Sequence, residues 1–235
     1  MVTRIPDITM NFKSTLILAV AASAAAFLSS CSSTSSSGSG LTAYHAYDRP
    51  TKLPSNPGNV RVKVSLSKQR TYVMEGSEVL LSMPVSVGSP GTSTPSGSFK
   101  IFNKVAKKRA NTHGYAYSGN NVKKTMISSK PAGWSFKGTP MPYWCEFKPN
   151  YGFHTGWVKH HPCTHGCIRM HENLAPKFFQ LVKVGTPVSI AHSQPEDAIH
   201  GNIPLPPDSG PLPDYASSMY LGDGYFSQHK APKFN

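Results

Sequence analysis

Proline and glycine recur so often along this chain that long helices are not expected. The 235 residues include 21 Pro and 19 Gly, and proline breaks the interior of a helix while glycine weakens it. The chain is not compositionally disordered, because 38% of its residues are hydrophobic and 10% are aromatic. Its length suits one well-buried domain with appendages. We therefore expect a mostly β domain with one or two short helices.

Alternation of apolar and polar residues begins at Val60. Val60, Val62 and Val64 alternate with polar residues, which is the period of two expected of a half-buried strand. Further strands are expected at 71–74, 79–87, 98–102 and 187–191. Residues 103–118 are basic and only weakly periodic, so we interpret them as an exposed segment or loop. The ordered domain is expected to span residues 60–192.

One helix is predicted near the end of this domain. Its apolar face consists of Leu174, Phe178, Leu181 and Val182. Asn173 could cap the helix, and Gly185 would stop it. Residues 193–235 are rich in Pro and Gly and show no helix or strand pattern. They are expected to form a tail that is either disordered or wrapped along the domain.

An apolar run near the N-terminus bears on the compartment. Residues 16–28 are too few to cross a bilayer, which needs about 20 helical residues, and they are typical of a signal peptide. Small residues then lead to Cys31, which resembles a bacterial lipobox and its lipidated cysteine. We expect a signal peptide at 1–30, and a lipidated Cys31 with a Ser/Gly tether and an extended lead-in at 31–59. An ordinary signal peptide with an incidental Cys31 is the alternative.

The charge of the chain points to an anionic partner. Lys and Arg number 24 against 11 Asp and Glu, a formal net charge of +13. Such a bias favours nucleic acid, lipid head groups or an acidic wall polymer, and says nothing about fold. If Cys31 carries lipid, the protein is anchored to a membrane without crossing it, in the cell envelope on the periplasmic or extracytoplasmic side. Nucleic acid is then excluded as a partner.

Histidine and cysteine concentrate in one short stretch. Five of the ten His and two of the four Cys lie between residues 154 and 171. Three interpretations compete: a structural loop, a metal site, and a Cys/His nucleophilic site. Imidazole and thiolate are preferred zinc ligands, but no CxxC pair is present. A nucleophilic site needs one thiolate, one histidine and backbone donors for an oxyanion.

The local sequence supplies these parts. Tyr151 to His154 reads as a strand that ends in a histidine, and the turn before Cys167 contains Gly166. Glycine lets the backbone approach a ligand closely, so the N–H groups of Gly166 and Cys167 could point at a developing oxyanion.

The same stretch resembles the active-site signature of the L,D-transpeptidase (YkuD) family. The matching residues are His154-Thr155-Gly156 and Thr164-His165-Gly166-Cys167-Ile168-Arg169. Further segments similar to those of the family, in order along the chain, are 62–69, 85–101, 141–144 and 185–188. The resemblance covers residues 60–192 and implies a β-rich sandwich or barrel.

Roles for individual residues follow from this resemblance. It implies that Cys167 is the nucleophile and His154 the general base, oriented by the backbone carbonyl of Thr155. His165 and Gly166 would belong to the oxyanion and substrate turn. Arg169 would hold a substrate carboxylate, for which the planar guanidinium is suited. No cofactor and no metal are implied.

The implied reaction is acyl transfer on peptidoglycan stem peptides, with release of D-alanine and transfer of the acyl group to an amine. The acceptor stays open between crosslinking, attachment of a protein to the wall, exchange of the terminal D-residue, and hydrolysis. A papain-like endopeptidase is disfavoured, because there the Cys precedes its His along the chain. A non-catalytic wall-binding or His/Cys metal-binding lipoprotein is the alternative from a different class.

The cysteines allow one further expectation under this resemblance. With Cys31 lipidated and Cys167 kept as a free thiol, Cys145 and Cys163 remain as a possible disulfide in an oxidising compartment. The alternatives are two free thiols, or a disulfide in which Cys163 traps Cys167.

Overall fold

A computed structural model describes residues 37–208, 216–228 and 231–234. Spatial contacts divide the chain into two units, 1–35 and 36–235, and every described residue belongs to the second. The predicted signal peptide at 1–30 and Cys31 lie outside the described residues. No helix in the described ranges is long and apolar enough to cross a membrane.

The described part of the chain is mostly β, which confirms the predicted fold class. Its strands are β1 (Val60–Ser65), β2 (Arg70–Glu75), β3 (Glu78–Ser86), β4 (Gly97–Lys100), β5 (Asn103–Ser118), β6 (Asn121–Met126), β7 (Ser135–Lys148), β8 (Tyr151–Thr155), β9 (Ile168–Met170) and β10 (Pro187–Ala191). Its α-helices are α1 (Ser37–Ala46), α2 (Ala175–Leu181), α3 (Asp197–His200), α4 (Ser217–Leu221) and α5 (Gly224–Ser227). These short helices outnumber the one or two predicted.

All ten strands belong to one sheet, in the order β4-β10-β1-β2-β3-β9-β8-β7-β5-β6. The pairs β1–β10 and β8–β9 are parallel, and the other neighbours are antiparallel. Because parallel strands need a crossover connection, β8 and β9 are joined by a loop at residues 156–167. The short strand β9 links the β1–β3 meander to the strands β5–β8.

The main core lies against this sheet. Alternate residues of β1 are buried, with Val60, Val62 and Val64 each at most 2% exposed. Phe178 of α2 packs on Phe153 of β8, with ring centroids 4.6 Å apart. The predicted helix is therefore present, and its apolar face covers the sheet.

Asn173 does not cap α2. The N-cap residue is Leu174, with no side-chain cap hydrogen bond. The Asn173 side-chain amide instead donates to the backbone carbonyls of His45 and Tyr47, both at 2.8 Å. The Asn173 side chain is unavailable for capping because it binds a backbone segment that is distant in the sequence.

That segment belongs to the predicted extended lead-in, which begins with a helix and packs on the domain. Helix α1 occupies Ser37–Ala46, and Tyr44 is only 1% exposed. The Tyr44 hydroxyl accepts a hydrogen bond from the Val158 N–H at 3.0 Å, and the buried His171 ring lies 2.8 Å from the Tyr44 carbonyl. These contacts join residues more than 100 positions apart, so the local sequence pattern gives no sign of them.

The interpretation of 103–118 as an exposed segment or loop is wrong about the secondary structure, although most of these residues are at least partly exposed. These residues form β5, which pairs with β6 on one side and β7 on the other. The β5–β7 register shifts between Arg109 and Gly114, so the alternation along the strand is interrupted. This interruption explains the weak periodicity of the sequence.

The C-terminal tail is wrapped along the domain where it is described. Arg109 of β5 donates to the carbonyls of Tyr220 and Gly222 at 2.7 and 2.6 Å. The ring of Tyr220 stacks on that of Tyr115 at 5.1 Å. Helices α4 and α5 are thereby held on β5 and β7.

Candidate active site

The parallel pair β8–β9 brings two of the predicted site residues to one face of the sheet. His154 of β8 lies directly opposite Arg169 of β9, so the two side chains share a face. Cys167 precedes β9 in the adjoining turn, and the Arg169 charge acts on its thiol. The other face carries Phe153 and Ile168, which are fully buried in the core. A period of two thus separates the reactive side chains from the core side chains.

The turn before Cys167 is held by the buried Thr164. The Thr164 hydroxyl donates to the Cys167 carbonyl at 2.6 Å and accepts from the Gly166 N–H at 3.1 Å. Gly166 has φ +105, and a Cβ at this position would lie 2.5 Å from the Tyr151 ring. Only glycine therefore fits this turn.

The Gly166 N–H is consequently engaged inside the turn. This differs from the expectation that it could point at an oxyanion, because Thr164 Oγ1 already accepts its hydrogen bond. Sequence alone showed the glycine but not the neighbour that accepts from it.

A second loop supports the same turn. The Thr94 hydroxyl donates to the Gly166 carbonyl and accepts from the Gly88 N–H, both at 2.9 Å. A Cβ at Gly88 would lie 2.2 Å from the Thr92 carbonyl oxygen. The glycine and threonines of this loop, which belong to the segment that resembles the family, therefore act as supports for the turn that carries Cys167.

His154 is held as a neutral base. Its Nδ1 lies 2.8 Å from the Thr155 carbonyl oxygen, which can only accept, so Nδ1 carries the proton and Nε2 is the basic nitrogen. Burial and the nearby Arg169 charge lower the pKa of His154 to about 4, although the hydrogen bond to Thr155 opposes this shift. At neutral pH the ring is an uncharged proton acceptor.

Cys167 rests as a thiol. Burial raises the pKa of Cys167 above its usual value, an effect that the Gly152 backbone and the Arg169 charge only partly offset. Its sulfur lies 3.6 Å from the Asn150 carbonyl oxygen. Within the described part of the chain, the thiol donates to this turn and not to His154.

The aliphatic part of the Arg169 side chain packs against Gly156. A Cβ at Gly156 would lie 2.9 Å from Cδ and 3.2 Å from Cγ of Arg169, so a bare glycine leaves room for the side chain. The Nη1 atom of Arg169 lies 3.8 Å from the Cys163 sulfur. The guanidinium therefore stands among His154, Cys163 and Cys167.

His165 stacks on a residue that the sequence gave no reason to single out. The rings of His165 and His113 have centroids 5.2 Å apart and planes at 21°. His113 ends the stretch over which the β5–β7 register shifts. The irregularity thus places β5 beside the turn that carries Cys167, and the only sequence signal was the broken alternation of 103–118.

Glu146 is a second residue that sequence reasoning missed. Its carboxylate accepts from the Asn150 N–H at 3.0 Å, the Asn103 side chain at 3.0 Å and the Trp144 indole at 3.2 Å. Burial raises the pKa of Glu146, but these hydrogen bonds outweigh burial and hold it below the usual value. The carboxylate fixes Asn150, which has φ +67 and accepts the Cys167 thiol.

The possible disulfide between Cys145 and Cys163 is not formed, and the three described cysteines are free. Cys145 is fully buried in β7 opposite Phe153, so its side chain lies on the core face of the sheet. Cys163 contacts Arg169, whose side chain is on the other face. The two thiols are therefore on opposite sides of the sheet, which the distance along the chain did not reveal.

The other histidines between residues 154 and 171 lie in separate surroundings and do not form one cluster. His171 is buried against Tyr44, His160 Nε2 lies 2.8 Å from the Pro206 carbonyl, and His161 is exposed. Among the described residues, no group of three or more His, Cys, Asp or Glu side chains could hold a metal ion. The metal-binding interpretation of this stretch is not favoured.

A family model described as "L,D-transpeptidase catalytic domain" matches residues 59–190, which is more than half of the chain. No curated protein sequence matches this chain.

Solved structures give a more distant likeness. An L,D-transpeptidase from Stackebrandtia nassauensis is 22% identical, with 65% of this chain and 64% of that chain covered and a TM-score of 0.44. One from Mycobacterium smegmatis is 18% identical, with 57% and 58% covered and a TM-score of 0.43. One from Xylanimonas cellulosilytica is 19% identical, with 64% and 68% covered and a TM-score of 0.44. The chain spans less than two thirds of the first two.

Proposed function

The chain belongs to the L,D-transpeptidase catalytic domain family, and from this premise we propose that it is a cysteine-dependent L,D-transpeptidase acting on peptidoglycan stem peptides. The observation that carries the proposal is that His154 lies opposite Arg169 on β8–β9, while Cys167 ends the turn that leads into β9, near enough for the Arg169 charge to lower its pKa. These side chains supply a base, a nucleophile and an anion-binding group at one site.

In the first half-reaction, the Cys167 sulfur attacks the carbonyl carbon between the L-centre of a diamino acid and the terminal D-alanine. His154 Nε2 takes the thiol proton and returns it to the leaving nitrogen as the C–N bond breaks. D-alanine departs and a thioester remains on Cys167. In the second half-reaction, an amine attacks the thioester, an amide forms, and the thiol regains a proton.

The charge states at the site favour proton transfer during attack over a resting ion pair. The pKa of His154 is lowered to about 4 and that of Cys167 is raised, so a thiolate–imidazolium pair is disfavoured before substrate binds. Arg169 contributes to the low pKa of His154. A substrate carboxylate bound to Arg169 would offset that charge and make His154 more basic. Substrate binding itself would then activate the base.

Two supporting roles follow. Because the Gly166 N–H donates to Thr164, the Cys167 N–H is the main proposed oxyanion donor, while Gly166 shapes the turn. Thr155 orients the His154 ring through its carbonyl, and His165, stacked on His113, borders the substrate.

The acceptor amine is open between a second stem peptide, a protein and a free D-amino acid, with water as the hydrolytic alternative. All of them share the thioester on Cys167.

Intact-protein mass spectrometry with a tetrapeptide-bearing muropeptide tests the proposal. The expected result is a mass gain equal to the acyl group with loss of D-alanine. Cys167→Ala should abolish this adduct, and the matched control Cys163→Ala should keep it. An adduct on Cys163, or wall binding without any adduct, would contradict the enzyme and support the non-catalytic wall-binding alternative.

We also propose that Cys31 is the lipidated first residue of the mature protein, in the cell envelope. The support is the order of apolar run, small residues and cysteine in the sequence. Mass analysis of the mature N-terminus should find a diacylglyceryl group on Cys31 and no residues before it. A mature N-terminus without lipid would contradict the anchor.

A further inference from the structure

The end of helix α4 is bound by a single side chain of β5. The Arg109 guanidinium donates to the backbone carbonyls of Tyr220 and Gly222 at 2.7 and 2.6 Å. It also forms an ion pair with the Asp223 carboxylate at 3.5 Å. Because the guanidinium is a planar group whose N–H donors have fixed directions, these contacts together fix the position of α4 relative to β5.

The same guanidinium holds β5 against β7 where their register breaks. Its Nη1 donates to the Gly138 carbonyl of β7 at 3.0 Å, and the register shift begins directly after Arg109. The two backbones are in close contact beyond this point, since a Cβ at Gly138 would lie 1.9 Å from the Ala110 carbonyl oxygen. Arg109 therefore joins α4, β5 and β7 at the start of an irregular stretch, which we define as residues 110–113.

The other end of the irregular stretch contacts the turn that carries Cys167. His113 stacks on His165 of that turn, with ring centroids 5.2 Å apart. Both rings are exposed, and a single aromatic pair is a weak contact. The position of His113 against His165 therefore depends on how firmly the backbone of the irregular stretch is held.

Helix α4 and this turn lie side by side on one face of β5. The β5–β6 register is unbroken over residues 113–118, so His113 and Tyr115 point to the same face, about 7 Å apart along the strand. His113 stacks on His165, and Tyr115 stacks on Tyr220 of α4 with ring centroids 5.1 Å apart. The helix is thus the neighbour of the turn along β5.

We propose that helix α4 is a structural part of the active site, and that Arg109 is a positioning residue that holds the irregular stretch and, through His113, the turn of Cys167 in the reactive geometry. The proposal rests on the proposed function where it concerns turnover. Among the described residues, the contacts of Arg109 are with β7 and the C-terminal tail and not with the reacting groups. Its effect must therefore pass through the backbone of β5. The family model ends at residue 190, so the inference concerns a helix that this model does not cover.

Arg109→Met tests the positioning role, because it removes the N–H donors and keeps the aliphatic stem. We expect kcat for thioester formation to fall by about tenfold with little change in KM, since a misplaced reacting group slows the chemical step. Arg61→Met is the matched control. Arg61 is exposed and also donates to a backbone carbonyl, that of Gly76 at 2.6 Å, but it belongs to β1, far from β5 in the strand order. An unchanged kcat, a change in KM alone, or equal losses in both variants overturns the proposal.

Alkylation of Cys167 by iodoacetamide tests the same link without substrate. Burial is the main cause of the raised pKa of Cys167. If the turn loosens, the thiol becomes less buried, so the alkylation profile of Arg109→Met should move to lower pH while that of Arg61→Met coincides with the parent. A parent that forms no thioester but shows this shift would contradict the proposed function and still support the role of Arg109. Coincident profiles in all three proteins overturn that role, whatever the turnover of the parent.

Tyr220→Ala identifies α4 as the partner of Arg109. It removes the ring that stacks on Tyr115 and leaves the backbone carbonyl that accepts from Arg109. Substitutions that act on one link are not additive, so the double variant with Arg109→Met should be no slower than the slower single variant. Losses that multiply mean that Arg109 acts without α4 and overturn the proposal.

Melting temperatures are measured for every variant. If Arg109→Met does not fold, Tyr220→Ala alone decides: a lowered kcat with a shifted alkylation profile supports the proposal, and values equal to those of the parent overturn it.

Discussion

The sulfur of Cys167 lies 3.6 Å from the backbone carbonyl oxygen of Asn150. The N–H of that residue donates to the Glu146 carboxylate at 3.0 Å. One carboxylate therefore fixes the turn that accepts the thiol hydrogen, and its negative charge also helps to raise the pKa of Cys167. Burial is the main cause of the raised pKa of Cys167, and Glu146 adds to it without touching the sulfur.

Glu146→Gln tests this relationship. An amide cannot accept all three hydrogen bonds that the carboxylate accepts, and it carries no charge. We expect turnover to fall by about tenfold while the pH profile of Cys167 alkylation moves to lower pH. Glu75→Gln is the matched control, since Glu75 accepts two backbone N–H groups far from the site. A fall in turnover with an unmoved alkylation profile would make Glu146 merely structural.

Gly156→Ala tests the path of Arg169. The new methyl would lie 2.9 Å from Arg169 Cδ, so the guanidinium must move. Loss of its hydrogen bonds to a substrate carboxylate should lower kcat/KM by about tenfold, mainly through KM. Gly224→Ala, whose Cβ would have no contact closer than 3.9 Å, is the control. Unchanged kinetics with Gly156→Ala would argue against Arg169 as the carboxylate site.

His113→Ala tests the stacked pair. Losing the ring against His165 should reduce kcat/KM by about three- to tenfold, the usual worth of an aromatic pair. His113→Phe keeps a flat ring for stacking and should recover most of the activity. Equal loss in both variants would show that the imidazole nitrogens of His113 matter and that stacking does not.

Stability should fall as the pH drops from about 6.5 to 4. Burial lowers the pKa of His171 to about 4 from the usual 6.5, so the unfolded chain takes up a proton in this window that the folded chain excludes. Stability is complete above the window and is lost on acidification, by about 3 kcal/mol from His171 alone. Urea unfolding at several pH values measures it. His171→Gln should reduce the dependence without abolishing it, because the pKa of His154 is lowered to about 4 as well, and the exposed His161→Gln should leave the dependence unchanged.

Thiol counting checks the cysteines. In folded, air-oxidised protein, maleimide should label Cys163 and Cys167 but not Cys145, because Cys145 is fully buried and burial raises its pKa to about 12. Denaturation should expose the third thiol. A Cys145–Cys163 linked peptide in non-reducing mapping would contradict the opposite placement of the two side chains.

Local patterns in the sequence predict the strands and the turn of the site, because a period of two and a glycine turn are local properties. The alternation at Val60–Val64 and the glycine before Cys167 are of this kind. The burial of Tyr44 depends instead on partners that are distant in the sequence. The strand at 103–118 contains a register shift that interrupts its alternation. Neither leaves a pattern that a short window can detect.

The same distinction applies to the site. Cys167, His154 and Arg169 were predicted through a resemblance carried by contiguous motifs. Glu146 and His113 act through single contacts with residues that come close only in the folded chain. A carboxylate or an imidazole with no motif around it looks like any other surface residue.

Strand β9 has three residues and joins β3 on one side to β8 on the other. Residues 85 and 86 must therefore meet 169 and 170 across a long intervening chain before β9 is paired on both sides. Strand pairs so far apart in the sequence form late, because the entropy cost of closing the loop comes before the stabilising contacts are made. Activity should thus be the last property to return during refolding, after the hairpins have formed on either side. A partially folded chain would carry every reactive side chain and still be inert.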